Sequence, residues 1–276
     1  MLKTRIITAL VLLAVLLPVL YSNNFTAFAV VATVFFGAAI WECFRLFNPK
    51  SGKAPVVAAF WTAAFAWAFF GPNNSNPIFW FAISLLLWVL RFAPSLKVGL
   101  PPLDSTANTL LSVVYAVSLV GCFAAIVALF SYSPLYLLSV MAIVWVADVF
   151  AYFSGKAFGK RKLAPSISPG KSWEGAIGGG IAVLVIATLV IATGGEALAN
   201  TFPVRVQASL GWAATWAVLI LIVAASVVGD LFESQLKRRA GMKDSSNLLP
   251  GHGGVLDRID ALVPVLPLAA LIGAWL

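Results

Sequence analysis

The chain has 276 residues, of which 61% are hydrophobic and 10% are charged. A soluble domain is only about half apolar, so this composition excludes that class and predicts an all-α polytopic membrane protein. The net charge of +8 does not indicate nucleic-acid binding, because the basic residues lie at the borders of apolar runs. The two cysteines, Cys43 and Cys122, lie inside such runs without a metal-binding spacing, so we interpret them as packing residues.

Nine apolar runs reach or approach the roughly 20 residues that a helix needs to cross a bilayer. We expect helices because lipid offers no hydrogen-bond partner to an open backbone. The first run follows Lys3 and Arg5, as in a signal peptide, but cleavage after Ala29 would shorten the second run, and we predict an uncleaved membrane helix. The runs cover approximately residues 5–21, 25–44, 55–71, 77–93, 108–130, 134–155, 175–194, 211–233 and 259–275.

The basic residues predict an orientation for these helices. When the connections are assigned alternately to the two sides of the membrane, every Lys and Arg except Arg205 falls on the same side. The positive-inside rule then places the N-terminus in the cytoplasm and the C-terminus outside. The long polar connections 156–174 and 234–258 face the cytoplasm, where we expect the chemistry, and the expected location is a bacterial inner membrane.

The chain divides into two predicted parts. Residues 1–133 are expected to form scaffold helices with a lipid-facing or dimer surface. Residues 134–276 are expected to carry the cytoplasmic catalytic loops. The two halves do not carry the matching broken helices that a typical inverted-repeat transporter would show.

The sixth run and the connection after it carry side chains suited to phosphate. Asp148, Tyr152 and Lys156 are spaced four residues apart, so they share one helix face near the cytoplasmic end. The connection is dense in Lys, Ser and Gly, including Lys171 and Ser172, and such cations, hydroxyls and N–H groups suit phosphate oxygens. A loop made basic only by the positive-inside rule is the alternative.

Two glycine patterns near this connection have simpler interpretations. A P-loop is excluded, because Pro165 stands where the first glycine of that motif would lie. Gly175 and Gly179 form a G-x-x-x-G at the start of the seventh run, which indicates tight helix packing more often than chemistry.

Carboxylates lie at the cytoplasmic ends of the last two runs. The eighth run ends in a polar stripe along one helix face, formed by Asp230, Glu233, Ser234 and Lys237. Asp257 and Asp260 are three residues apart at the start of the ninth run. Carboxylates that converge from two helices form a hard-oxygen site suited to Mg²⁺, and no set of His and Cys suggests zinc. Ion pairs with nearby Lys or Arg are the alternative for each acid.

The turn between these acids contains the only histidine. Pro250 and the surrounding glycines predict a turn. His252, followed by Gly253 and Gly254, is placed either to contact phosphate beside an exposed backbone nest or only to cap the turn.

The segment from Ser234 to Asp260 resembles the signature of the phosphatidate cytidylyltransferases, also called CDP-diacylglycerol synthases. It reads S-x-L-K-R-x4-K-D-x-S-x2-L-P-x-H-G-G-V-x-D-R-I-D, with every fixed position present. Two further segments are similar to that family, 148–175 and 229–234. One departure is Gly170, where a lysine is expected in many members, and it removes one possible phosphate contact.

The resemblance implies a reaction in which CTP and phosphatidic acid give CDP-diacylglycerol and pyrophosphate, the first committed step towards anionic phospholipids. It also implies a Mg²⁺ requirement, with a second, monovalent cation such as K⁺ as an option, and a homodimer in the lipid bilayer. Asp230 and Asp257 match the metal-binding aspartates of the family.

The remaining predicted site residues follow from charge and from the matched motifs. We expect the cations that neutralise phosphate to be Lys171, Lys237, Arg238, Lys243 and Arg258. Asp244 and Asp260 would orient those cations or complete the metal shell. The predicted substrate-binding residues further include Asp148, Ser172, Glu174, Ser234, His252, Gly253 and Gly254.

Three other functions compete with this interpretation. A CTP-dependent polyprenol or phytol kinase shares membrane helices and a nucleotide site, but should lack the full signature. A CDP-alcohol phosphotransferase needs the motif D-G-x2-A-R-x8-G-x3-D-x3-D, which the sequence does not contain. A transporter of anionic solutes predicts polar residues throughout the membrane, whereas here they cluster at one face.

Overall fold

Helices form nearly all of the structure, a computed structural model that describes residues 2–22, 24–71 and 75–276. Each of the predicted apolar runs falls on a helix or on two consecutive helices, although the eighth run, 211–233, covers only the middle of a helix that extends further at both ends. The helices are α1 (Leu2–Tyr21), α2 (Phe25–Phe47), α3 (Ala54–Phe70), α4 (Pro77–Leu87), α5 (Ala93–Val98), α6 (Thr106–Tyr132), α7 (Pro134–Phe158), α8 (Trp173–Thr193), α9 (Phe202–Arg239), α10 (Leu256–Ile259) and α11 (Leu262–Gly273). A π-helical turn, Trp88–Phe92, joins α4 to α5.

Within the described residues, six helices are long and apolar enough to cross a membrane. They are Phe25–Phe47, Pro77–Val98, Thr106–Tyr132, Pro134–Phe158, Trp173–Thr193 and Phe202–Arg239. Two further apolar helices, α3 and α11, are shorter. The predicted class of polytopic helical membrane protein is therefore confirmed. The count of about nine spans and the orientation of the termini stay predictions.

The central helix of the bundle is α6. It packs against α2, α4, α7 and α11. Of its most apolar 18-residue window 72% is buried, against 22% for α8, so α6 forms the core and α8 lies at the periphery. The core is rich in aromatic rings, including a cluster of Trp88, Phe92, Tyr115 and Phe232 that joins α6 to α9.

A close crossing of α9 and α11 determines where the acidic residues meet. A Cβ added at Gly229 would lie 2.5 Å from the carbonyl oxygen of Asp260 and 2.9 Å from Pro264 Cδ. Real Cβ atoms essentially never make contacts this short, so only glycine permits the crossing. It brings Asp230 beside the segment that carries Asp257.

The α7 and α8 helices also pack closely through the predicted glycine motif. A Cβ added at Gly175 would lie 2.8 Å from the carbonyl oxygen of Ala151, and one added at Gly179 would clash with the carbonyl oxygen of Ala147. The packing interpretation of Gly175 and Gly179 is confirmed, and this contact aligns the site-bearing ends of the two helices.

A short β-hairpin departs from the all-α prediction. Strands β1 (Lys162–Ala164) and β2 (Ser168–Ser172) pair antiparallel, with Lys162 opposite Ser172 and Ala164 opposite Ser168. The turn closes where the Ile167 N–H donates to the Ala164 carbonyl at 3.1 Å. The sequence predicted only a connection here, because such short strands interrupted by proline show no alternating pattern.

The helix α9 contains a break in its N-terminal part, away from Asp230 and Glu233. The backbone of α9 leaves helical geometry at Gly211, with φ 77° and ψ 177°. Positive φ is unfavourable for residues with a Cβ, so glycine fits this position. The break coincides with the predicted start of the eighth span, and the stretch after it carries Asp230.

Candidate active site

A cavity of about 530 Å³ lies where α7, α8, α9 and the hairpin meet the segment before α11. Four acids and two lysines line it. All six lie at the polar ends of the predicted apolar runs or in the connections next to those ends. They are Asp148, Lys156, Lys171, Asp230, Asp257 and Asp260. The predicted convergence of carboxylates from separate helices is therefore present in the structure.

The α7 face predicted from spacing forms one wall of this cavity. Asp148, Tyr152 and Lys156 all line it, together with Ala151 and Gly155 between them. The small residues let the hairpin approach, since Gly155 lies close to Ser172. Ser172 itself caps α8 by accepting a hydrogen bond from the Gly175 N–H at 3.1 Å.

The hairpin places Lys171 beside Asp230. Lys171 on β2 forms an ion pair with Asp230 Oδ2, and both side chains are a little over one quarter exposed, 29% and 28%. The Ser234 hydroxyl donates to Asp230 Oδ1 at 3.3 Å. Asp230 thus keeps access to the cavity while its charge is balanced from another part of the chain.

The side chain of Asp257 is almost completely buried. Lys237 Nζ lies 2.6 Å from Asp257 Oδ1 and 2.7 Å from Glu233 Oε2. Asp257 Oδ2 accepts from the Ser245 N–H at 2.8 Å, the Ser245 hydroxyl at 2.9 Å and the Gly254 N–H at 2.8 Å. The Asp257 side chain is only 3% exposed.

These contacts control the charge on Asp257. Burial acts to raise its pKa, but the hydrogen bonds from Lys237 and from the Gly254 and Ser245 N–H groups outweigh that effect and hold the pKa below its ordinary value. Asp257 is therefore ionised at neutral pH, as a group that faces cations must be.

The carboxylates on the cavity are compatible with a magnesium site. Among residues 2–22, 24–71 and 75–276, no group of three His, Cys, Asp or Glu residues is arranged to hold a metal ion. Mg²⁺ is commonly bound by one or two carboxylates together with substrate phosphates rather than by a protein-only cage. Asp230 and Asp257 supply two carboxylates on one cavity, which agrees with that pattern.

The segment that carries Asp257 is held by a helix from the other half of the chain. Glu42 on α2 is fully buried, and it accepts hydrogen bonds from the Val255 and Leu256 N–H groups and from two serine hydroxyls. Sequence reasoning missed Glu42. The signal was available, since an acid near the end of a membrane helix is a functional candidate by default.

Several predicted residues lie outside the cavity lining. Glu174 instead accepts from the Lys160 and Arg161 N–H groups at 3.1 Å and fixes the base of the hairpin. Four others are exposed and are not among the residues that line the cavity, namely Arg238, Lys243, Asp244 and Arg258. Their roles toward substrate stay predictions.

The histidine lies in the predicted turn. Gly251 and Gly253 have φ of 79° and 84°, and the His252 N–H donates to the Leu249 carbonyl at 2.8 Å. The turn is therefore confirmed. His252 Nδ1 is buried and has no hydrogen-bond partner among the described residues, so whether the ring contacts phosphate stays a prediction.

Comparison with known proteins gives matches over nearly the whole chain. The sequence profile described as the Cytidylyltransferase family matches residues 3–276. A protein of Haemophilus influenzae named phosphatidate cytidylyltransferase is 37% identical over 298 aligned residues, which cover 97% of this chain and 96% of that protein.

Two further relatives carry the same name and match about half of the chain. The Pseudomonas aeruginosa protein is 52% identical over 139 residues, covering 50% of this chain and 47% of that protein. The Bacillus subtilis protein is 39% identical over 136 residues, covering 49% of this chain and 46% of that protein.

Proposed function

Because the chain belongs to the cytidylyltransferase family, we propose that it transfers the cytidylyl group of CTP to phosphatidic acid. The products are CDP-diacylglycerol and pyrophosphate, at the first committed step towards anionic phospholipids. The observation that carries the proposal is the cavity where Asp230 and Asp257 meet at the end of a helix bundle. The family resemblance expected from Ser234 to Asp260 is confirmed.

In the proposed reaction the lipid supplies its own nucleophile. A phosphate oxygen of phosphatidic acid attacks the α-phosphorus of CTP in line, and the bond from that phosphorus to the bridging oxygen of pyrophosphate breaks. No nucleophilic Ser or Cys is needed. The protein has to neutralise and align two polyanions, and Lys156 and Lys171 on the cavity wall are placed to do so.

The aspartates would hold the metal. Asp230 and Asp257 would ligate Mg²⁺, with Asp260 on the same cavity to complete the shell or orient a lysine. When bound, the ion would neutralise charge on the triphosphate. A second, monovalent cation such as K⁺ belongs to the same proposal. Lys237, held between Glu233 and Asp257, keeps the Asp257 carboxylate in a fixed orientation.

The position of the cavity suits one lipid and one water-soluble substrate. Large apolar side chains are exposed on α7 and α8, including Phe153 and Trp173. In a bilayer such a surface faces lipid, so a phosphatidate headgroup would reach the cavity from the membrane. CTP would arrive from the cytoplasm. The homodimer and the inner-membrane location belong to this proposal.

Labelled CTP separates the proposed reaction from its rivals. Purified protein in detergent is mixed with phosphatidic acid, Mg²⁺ and CTP labelled at either the α- or the γ-phosphate. We expect the α-label to enter lipid and the γ-label to be released as pyrophosphate. Transfer of the γ-label to a lipid alcohol would instead identify a kinase, and movement of intact solute into sealed vesicles that contain the reconstituted protein, without turnover, would identify a transporter.

A further inference from the structure

We propose that Glu42 on α2 is a positioning residue for Asp257, acting through the segment 245–256. The inference rests on the proposed function only in that the kinetic part of its test measures the proposed reaction. The proposal gives α2, a scaffold helix from the first half of the chain, a direct role in the geometry of the site.

The first support is the set of contacts that Glu42 makes. Its Oε1 accepts from the Ser246 hydroxyl at 2.5 Å and the Val255 N–H at 3.0 Å. Its Oε2 accepts from the Leu256 N–H at 2.6 Å and lies 3.1 Å from the Ser245 hydroxyl. A buried side chain that satisfies two backbone donors at the start of α10 fixes the position of that helix.

The second support is the link from Glu42 to Asp257. The Ser245 hydroxyl lies within hydrogen-bond distance of both carboxylates, so it can donate its single proton to either. Arg45, one turn along α2, donates to the Ser245 carbonyl at 2.6 Å. Ser245 is therefore held by α2 at its backbone and at its side chain, and it passes that restraint to Asp257.

The third support is steric. A Cβ added at Gly254 would clash with both the Glu42 carboxylate and the Ser245 hydroxyl. The Gly254 N–H meanwhile donates to Asp257 Oδ2 at 2.8 Å. The backbone at Gly254 thus lies close to both carboxylates and contacts each of them.

The physical consequence is a large effect from one substitution outside the cavity. In Glu42→Gln, one of the oxygens that face backbone N–H groups becomes an NH₂ donor, which leaves a buried donor unpaired. The Asp257 segment would relax, and misplacement by about 1 Å can cost roughly 100-fold in rate. Substrate affinity would change less, because the cavity cations are unaffected.

The test combines kinetics with amide hydrogen exchange. For Glu42→Gln we expect kcat to fall about 10- to 100-fold, with KM for CTP within a few-fold of wild type. Exchange should quicken at least about 10-fold in residues 243–257, corresponding to local opening, and remain unchanged in α6 and α8. The matched control is Cys43→Ser, the buried neighbour that faces the Ser112 carbonyl, and it should leave both readouts unchanged.

A milder variant covers the case in which Glu42→Gln does not fold. Ser246→Ala removes one donor to Glu42, and Ser246 has no hydrogen bond to Asp257. We expect a smaller fall in kcat with faster exchange confined to the same segment.

Two results would overturn the inference. One is wild-type kcat together with wild-type exchange in a folded Glu42→Gln or Ser246→Ala protein. The other is faster exchange spread evenly over all helices, which would show a general structural role. If wild-type protein makes no CDP-diacylglycerol, the proposed function fails, while the exchange comparison still decides the role of Glu42.

Discussion

Asp230 and Asp257 are each paired with a lysine that the chain brings from another element. Lys171 arrives on the hairpin and Lys237 from the last turn of α9. Both pairs lie at the cavity, so each aspartate has a defined orientation before any ligand arrives. Substitutions at these two aspartates therefore test the proposed metal chemistry most directly.

Neutralising either aspartate should abolish most turnover. Asp230→Asn and Asp257→Asn keep the side-chain shape but remove the negative charge, so we expect kcat to fall at least about 100-fold, as for loss of other key electrostatic groups. CDP-diacylglycerol formation measures this, and a thermal melt in detergent confirms folding. Glu196→Gln, in the connection between α8 and α9, is the control. Near-normal turnover would remove that aspartate from the metal assignment.

Adding a cation at Gly170 should strengthen CTP binding. Gly170 lines the cavity, and an added Cβ would meet nothing within 4 Å. Gly170→Lys should lower KM for CTP about 2- to 5-fold, since an exposed ion pair contributes about 0.2–1 kcal/mol, and added salt should weaken the effect. Gly52→Lys adds the same charge at another open position. An equal effect there would mean that net charge alone is responsible.

The contact between α7 and α8 holds two walls of the cavity together. The substitution Gly179→Ala places a methyl group against the Ala147 carbonyl. Forcing the helices apart should destabilise the protein by about 1–3 kcal/mol and lower its melting temperature. Gly180→Ala is the control, because its Cβ would meet only Val223 Cγ1, at 3.9 Å. Equal melting temperatures for the two variants would contradict the close-packing account.

Elements with a strong local pattern could be predicted from the sequence. Apolar runs of helical length predicted the helices, and four-residue spacing placed Asp148 and Lys156 on the wall they form. The hairpin could not be predicted, because its strands are short and its pairing depends on α7 and α8 being in place. Glu42 could not be linked to the site either, since its partners lie more than 200 residues along the chain.

For the whole molecule, the side on which each connection lies is open to experiment. The native Cys43 and Cys122 are both buried, so an introduced cysteine would be the main target of a membrane-impermeant maleimide. Ser166→Cys on the hairpin should react only from the cytoplasmic side, and Asn200→Cys only from the opposite side. The reason is that the two positions lie beyond opposite ends of α8. That helix has 21 residues and is about 31 Å long, which is enough to cross a bilayer. Reaction of both from one side would overturn the predicted orientation.

The lysine partners of Asp230 and Asp257 also bear on what happens between turnovers. A carboxylate at the edge of a bilayer that had lost its counterion would incur a desolvation penalty of several kcal/mol. Here each acid has its own built-in cation. If the proposed function holds, binding of nucleotide and metal would exchange partners at Asp230, where Lys171 would turn to phosphate as the aspartate turned to the ion. Asp230 and Asp257 are therefore not left as unpaired charges in the resting protein.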